Sequence, residues 1–288
     1  MKRKDLLRKK EIRTGYLFLS FWIIGFLAFT LYPLIYSVLL GFHSIQITPE
    51  TGTRFEWEGL KFFDQALNVD KEFKLTLGSS LFLIICAVPV VQVFALIIAL
   101  MLNNQFRFRT FFRTVFFLPV VIMSGPVISR LLTEHTVDFV NEGGAVYSVI
   151  SQLPGVLRDA SFLILDNLVL ILWFSGIQIL VLLTGLQKIS PDLYEAADID
   201  GAGGWEKFWK ITLPHMRAFL LLCTVYTIID VAAYSEHAVN QKIERHIFDV
   251  RQMYSFSAAM SWIYFLAVVL LLVAVLVLFT LFGRRKRA

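Results

Sequence analysis

Few residues in this chain have the type and spacing for covalent chemistry. His43, His135, His215, His237 and His246 are scattered over different loops with no metal-ligand spacing. No Ser or Cys sits beside a plausible base, and no GxxxxGKS or GxxxxGKT run is present to cradle a phosphate. Gly201–Gly204 is not such a loop, because no Lys-Ser or Lys-Thr pair follows it. What remains are polar groups inside long apolar runs, where each is costly and marks a pathway candidate. Gln92, Asn167, Gln178 and Asp230 are of this kind, with Asp166 and Arg130 nearer the ends of runs. Amides and carboxylates offer hydrogen bonds, and the rings of Trp173 and Tyr226 offer flat apolar faces. Together such groups can hold a polar solute. The bland alternative stays open: Gln92 and Gln178 as bonds between helices, Asp166 and Arg130 as groups that meet water.

The runs that carry these residues dominate the chain. Of 288 residues, 57% are hydrophobic, with a mean hydropathy of +0.68, above the usual range for a soluble domain of about 45–50%. The excess lies in stretches near the roughly 20 residues that cross a bilayer as a helix. Six candidate spans stand out: Tyr16–Phe42, Leu75–Leu102, Thr114–Leu132, Phe162–Leu186, Ala218–Tyr234 and Ala259–Phe282. Their continuous apolar character predicts helices, not the alternation of a barrel. The expectation is an all-α membrane protein with six transmembrane helices. A basic tail occupies 1–15, the membrane domain 16–282 and a second basic tail 283–288.

Charge orients the spans. Most of the 27 Lys and Arg residues fall in the N-tail, the 103–113 loop, the 187–217 loop and the C-tail. The positive-inside rule then places both termini and the 187–217 loop in the cytoplasm. The pI near 9.2 reflects this topology and does not call for nucleic acid. The first run is too long for a signal core and ends in no small-x-small site, so it is expected to be retained. Cys86 and Cys223 both lie in apolar runs and read as small hydrophobes. The outside segment Thr48–Lys74 carries Phe55, Trp57, Leu60, Phe62 and Phe63 and is expected to be an ordered loop.

The loop between the fourth and fifth spans is an amphipathic island. Ser190-Pro191-Asp192 is a helix start: Ser caps, Pro suits the first position and Asp favours the positive end of the dipole. Leu193, Ala196 and Ala197 then share a face, with small residues that allow close approach. Gly201-Ala202-Gly203-Gly204 turns the chain, and Trp205, Phe208 and Trp209 repeat the spacing on a second short helix. Pattern alone allows a loop lying on lipid headgroups or a docking element for a soluble partner.

The string Glu195-Ala196-Ala197, then Gly201, then Ile211, Leu213 and Pro214 resembles the EAA motif of permease subunits of ATP-binding-cassette importers. The likeness extends to the carbohydrate-uptake branch. YPLIYS at 32–37, FRTVFFLPVV at 112–121, LTGLQKISPDLYEAADIDGA at 183–202 and SAAMSWIYF at 257–265 are similar to its sugar permeases. Ser79-Ser80 stand where the family commonly has Asn-Thr, and 133–161 and 228–250 match poorly, which bears on the substrate and not on the family.

The resemblance implies a transport subunit, not an enzyme, with no cofactor of its own. It implies a second permease subunit, a different chain by preference, two cytoplasmic ATPase subunits and an extracytoplasmic solute-binding protein. These would work in the cell membrane of a prokaryote, in contact with its lipid. Glu195 would make polar contact with the ATPase, Ala196 and Ala197 would pack closely against it, and Gly201 would allow the turn. The cargo implied is a sugar or oligosaccharide. Glycerol phosphate or a polyamine would fit the same motif, and a transporter working without ATP would leave the island unexplained.

Overall fold

The computed structural model describes residues 2–48, 52–104, 111, 114–115, 145–155, 158, 168–247 and 253–284. Among them, four helical stretches are long and apolar enough to cross a membrane: Thr14–Phe42, Lys71–Asn103, Arg217–Ile247 and Tyr254–Leu281. A fifth candidate is the pair Leu170–Leu186 and Pro191–Ile199, bent by 63° at the break. These match the first, second, fourth, fifth and sixth expected spans. The third, Thr114–Leu132, falls almost wholly outside the described residues, as do Arg130, Asp166 and Asn167. The chain is a multi-pass helical membrane protein.

The elements follow in order. Helix α1 (Lys2–Phe26) passes through a wide π turn at Leu27–Leu31 into α2 (Tyr32–Phe42). Pro33 sits in the first turn of α2, where its missing N–H is tolerated. Strands β1 (His43–Thr48) and β2 (Gly52–Trp57) form an antiparallel hairpin with His43 opposite Trp57 and Thr48 opposite Gly52. Then come α3 (Lys61–Asp64), a π turn at Gln65–Val69, and α4 (Lys71–Asn103) with Pro89 inside it. Short α5 (Ala145–Ile150) precedes α6 (Leu168–Leu186). The loop helices are α7 (Pro191–Ile199), α8 (Gly204–Lys207), a π turn at Phe208–Thr212, and α9 (Leu213–His215). Helices α10 (Arg217–Ala233), α11 (Ala238–Ile247) and α12 (Met253–Arg284) complete the chain.

The segments after the first and fifth spans carry structure of their own. The ordered loop after the first span contains a β-hairpin, a small addition to a fold that is otherwise helical, as expected. A two-stranded hairpin is marginal alone. Here Trp57 stacks on Phe42, with centroids 5.6 Å apart and planes 7° apart, and Phe63 backs Phe42 at 5.0 Å. The segment after the fifth span forms α11, which buries Val239 and Ile243 and holds Lys242.

The chain divides into two compact units, Met1–Leu77 with Gln241–Leu266, and Gly78–Asn240 with Ala267–Ala288. The first buries Ile45, Ala66, Phe73, Phe256, Ala259 and Met260. It also holds a nearly buried ammonium: Lys242 is 6% exposed and lies 3.1 Å from both Asp70 and Glu72 carboxylates. Asp70 also accepts the Phe73 N–H at 2.8 Å, capping α4. Burial alone raises the Asp70 pKa. The Phe73 hydrogen bond, the Lys242 bond and charge, and nearby His246 outweigh it and hold the carboxyl below its ordinary value.

Removing the ammonium leaves both acids without their partner. Lys242→Met is expected to cost about 2 kcal/mol, below the range for a fully buried pair because Glu72 is open to solvent. Unfolding in detergent measures it. Because the folded pKa of Asp70 is depressed, its contribution is present above the unfolded value of about 3.9 and is lost as pH falls through the folded one.

Candidate functional site

The second unit carries the amphipathic island. Its core is formed by Ala95, Ala99 and Leu102 of α4, Ile179, Leu182, Leu183 and Leu186 of α6, Ile189, and Met216 and Cys223 at the start of α10. Alanines four residues apart let α4 come close. The island is built onto the end of this core by Tyr194 and Ile211, which pack against it.

Helix α7 begins as the sequence predicts, with Pro191 in its first turn and Asp192 near the positive end. Ser190 does not cap it; its hydroxyl donates to Asp192 instead, at 3.0 Å. The end of α7 explains the glycine. Gly201 has φ +76, Ala202 N–H donates to Ala197 C=O at 2.9 Å, and Gly201 N–H donates to Asp198 C=O at 3.1 Å. This is a Schellman turn, which places a left-handed residue directly after the helix, a conformation glycine adopts without steric cost.

Three ties make the island one body. The Schellman turn is the first. An ion pair between Lys207 and Asp198 joins α8 to α7. The Tyr194 hydroxyl meets Thr212 Oγ1 at 2.9 Å, joining α7 to the π turn. Nothing in the sequence singled out Lys207, Tyr194 or Thr212, since each partner lies at least nine residues away.

The outward face is apolar and small. Glu195 and Ala196 are exposed, Ala197 is half-buried, and Leu193 is 41% exposed. Glu195 makes no ion pair with any described residue. Trp205, Phe208 and Trp209 pack on one another at 5.3 to 6.4 Å, yet Trp205 is 74% exposed. The Lys210 ammonium, 3.2 Å from Glu206, holds that carboxyl below its ordinary value. Ile211 and Leu213 are half-buried and Pro214 is exposed where the chain returns toward α10.

The intramembrane polar residues separate into two kinds. Gln92 Nε2 donates to Leu220 C=O at 2.5 Å and to Thr224 Oγ1 at 2.9 Å, tying α4 to α10. Gln178 Nε2 donates to Thr227 Oγ1 at 2.9 Å, tying α6 to α10, while its buried Oε1 has no partner among the described residues. Asp230 is half-buried and makes no hydrogen bond or ion pair with any described residue. It lies four residues beyond Tyr226 and three beyond Thr227, so all three line one side of α10. Trp173 is half-buried on α6, five residues before Gln178 and therefore on another face.

Gln92→Leu tests the first kind. Thr224 keeps its own bond to Leu220 C=O, so no buried group is orphaned. The expected cost is about 0.6–1 kcal/mol in unfolding experiments, with solute affinity unchanged.

These features define a polytopic helical membrane protein with a rigid two-helix loop projecting from the packed ends of its spans. Comparison with known proteins supplies the family. No family model matches the chain. It is 33% identical over 222 residues to the probable ABC transporter permease protein YesP of Bacillus subtilis, covering 74% of this chain and 68% of that one. It is 28% identical over 304 residues to the lactose transport system permease protein LacF of Rhizobium radiobacter, covering 99% and 98%. The polygalacturonan/rhamnogalacturonan transport system permease protein YteP of Bacillus subtilis is 30% identical over 239 residues, covering 80% and 72%. The fold matches the crystal structure of a bacterial ABC transporter involved in the import of the acidic polysaccharide alginate, with a TM-score of 0.60 at 21% identity over 96% of this chain and 97% of that one. The chain belongs to the family of carbohydrate-uptake permease subunits of ATP-binding-cassette transporters.

Proposed function

We propose that this chain forms half of a translocation pathway for a sugar or oligosaccharide, driven by a separate cytoplasmic ATPase that docks on α7. The observation that carries the proposal is the exposed Glu195–Ala196 face, held at the tip of a rigid loop by the Schellman turn at Gly201. A face of small residues beside a carboxylate with no ion pair among the described residues suits close approach by a polar protein surface. The carbohydrate cargo rests on the relatives, several of which are named for saccharide transport.

The wider arrangement follows from the same reading. Six spans cross the cell membrane, the third over 114–132, with both termini in the cytoplasm. A second permease subunit completes the pathway, two ATPase subunits lie beneath it, and an extracytoplasmic binding protein delivers the solute. One solved neighbour is a complex with an alginate pentasaccharide-bound periplasmic protein, which supports a partner of that kind. Nucleotide would act as a ligand that shifts a two-state equilibrium through differential contacts at α7.

The test is reconstitution of the assembled complex in vesicles, with labelled saccharides outside and ATP inside. Uptake that needs the ATPase, and a cross-link from Glu195→Cys to it, are the expected results. Uptake by this chain alone would overturn the proposal. Transport of glycerol phosphate or a polyamine in place of saccharides would keep the machine and change the cargo.

A further inference from the structure

The tightest contact around the island is not in the motif. Gly185 is buried in the last turn of α6. A Cβ built on it would lie 2.7 Å from Phe219 Cγ, 2.8 Å from Phe219 Cδ2 and 2.9 Å from Met216 Sδ. Real Cβ atoms do not make such contacts, so only glycine lets the base of α10 rest there. Met216 is fully buried, and it is the residue at which the helix from the island breaks before α10 begins. Lys188 Nζ lies over the Phe219 ring, 5.5 Å from its centroid.

The island is tied into one body, so it cannot absorb a push by folding up. Its two connections to the spans are the 63° bend before Pro191 and the break at Met216. The second sits directly on Gly185. We infer that Gly185, Met216 and Phe219 form a fulcrum, at which motion of the island is turned into motion of α10 against α6. Helix α10 carries Tyr226, Thr227 and Asp230, so a turn at its base moves these side chains. Gly185, Met216 and Phe219 are positioning residues, acting through the close fit of ring and backbone. The inference rests on the proposed docking of the ATPase at α7.

Filling and emptying the joint test it from opposite directions, in the complete transporter reconstituted in vesicles. Gly185→Ala drives a methyl into Phe219. Phe219→Ala leaves the island nothing to push. For both, saccharide uptake per ATP hydrolysed is expected to fall about tenfold, within the ordinary range of coupling between sites. Parental ratios in Gly185→Ala and Phe219→Ala overturn the fulcrum. If Gly185→Ala does not assemble, Phe219→Ala decides, because Phe219 is only half-buried and its truncation leaves a smaller void than loss of a fully buried ring. The Glu195→Cys cross-link separates two failures: present with parental ratios, it removes the fulcrum only; absent, it removes the docking reading beneath it.

Discussion

Gly201→Leu inserts normally in the membrane and abolishes transport, while Gly203→Leu does neither harm. Magnitudes set this expectation. A side chain at φ +76 costs roughly 1–2 kcal/mol. That loosens the Schellman turn but does not unfold a domain stabilised by about 5–15 kcal/mol. A Cβ at Gly201 meets no described residue within 4 Å, and the same is true at Gly203. Clash at the Cβ therefore does not account for the lost transport. The difference between the two sites lies in the turn: at Gly201 the new residue shifts the end of α7 and projects beside Ala197. A full loss of uptake with intact assembly points to a surface that meets α7 from outside. Gly201→Ala is expected to retain partial transport, since it bears the backbone cost with little added bulk. The measurement is saccharide uptake and ATP hydrolysis in vesicles, with assembly checked by co-purification. Substrate-stimulated hydrolysis at the parental rate in assembled Gly201→Leu would contradict the role given to α7.

The second large effect is expected at Asp230. A carboxylate within a span is expensive and is normally paired. Gln92 and Gln178 both follow the rule, each finding a threonine on α10. Asp230 finds no hydrogen-bond partner among the described residues, yet it shares a side of the helix with Tyr226 and Thr227. Asp230→Leu is expected to abolish saccharide uptake without loss of the Glu195→Cys cross-link to the ATPase. Asp230→Asn keeps an acceptor and adds donors, so a neutral sugar is expected to be carried with affinity lowered about tenfold, the value of one strong hydrogen bond. Should Asp230→Leu instead dissolve the pairing with the second permease subunit, the carboxylate belongs to that interface. Co-purification of the two permeases distinguishes these outcomes.

Much of this architecture was legible as apolar runs. The first expected span, Tyr16–Phe42, corresponds to Thr14–Phe42, and Leu75–Leu102 to Lys71–Asn103. The helix start at Pro191 and the turn at Gly201 were legible because a first-turn proline and a left-handed glycine act through local chemistry, whereas the expected Ser190 cap does not form. Helix α11 was hidden for the opposite reason. Val239, Ile243 and His246 are at helical spacing, but Lys242, Glu244 and Arg245 between them look like solvated loop until Lys242 is seen paired with Asp70. The hairpin had its own signal in the alternation of Ile45 with Ile47 and of Phe55 with Trp57, obscured by the flanking Pro and Gly. The bonds of Gln92 and Gln178 were half legible: the amides stood out, whereas a threonine within a span also satisfies itself on its own helix, as Thr224 and Thr227 do. Gly185 gave no signal at all, because its meaning comes from a ring 34 residues further along.

The hairpin has a consequence for how deeply the first helix sits in lipid. A two-stranded sheet leaves backbone N–H and C=O groups on its outer edges, and such groups are not tolerated in hydrocarbon. Strand β1 follows α2 without a spacer, so His43 marks a level that cannot sink into the acyl chains. The 29 residues of Thr14–Phe42 rise about 43 Å as helix, against a hydrocarbon thickness of about 30 Å. One end being stopped, the surplus of about two turns is taken up by tilt or by emergence at the Thr14 end, beside the basic run at Lys9, Lys10 and Arg13. The hairpin thus works as a depth stop: it fixes one border of the first span and leaves all of the slack to the other.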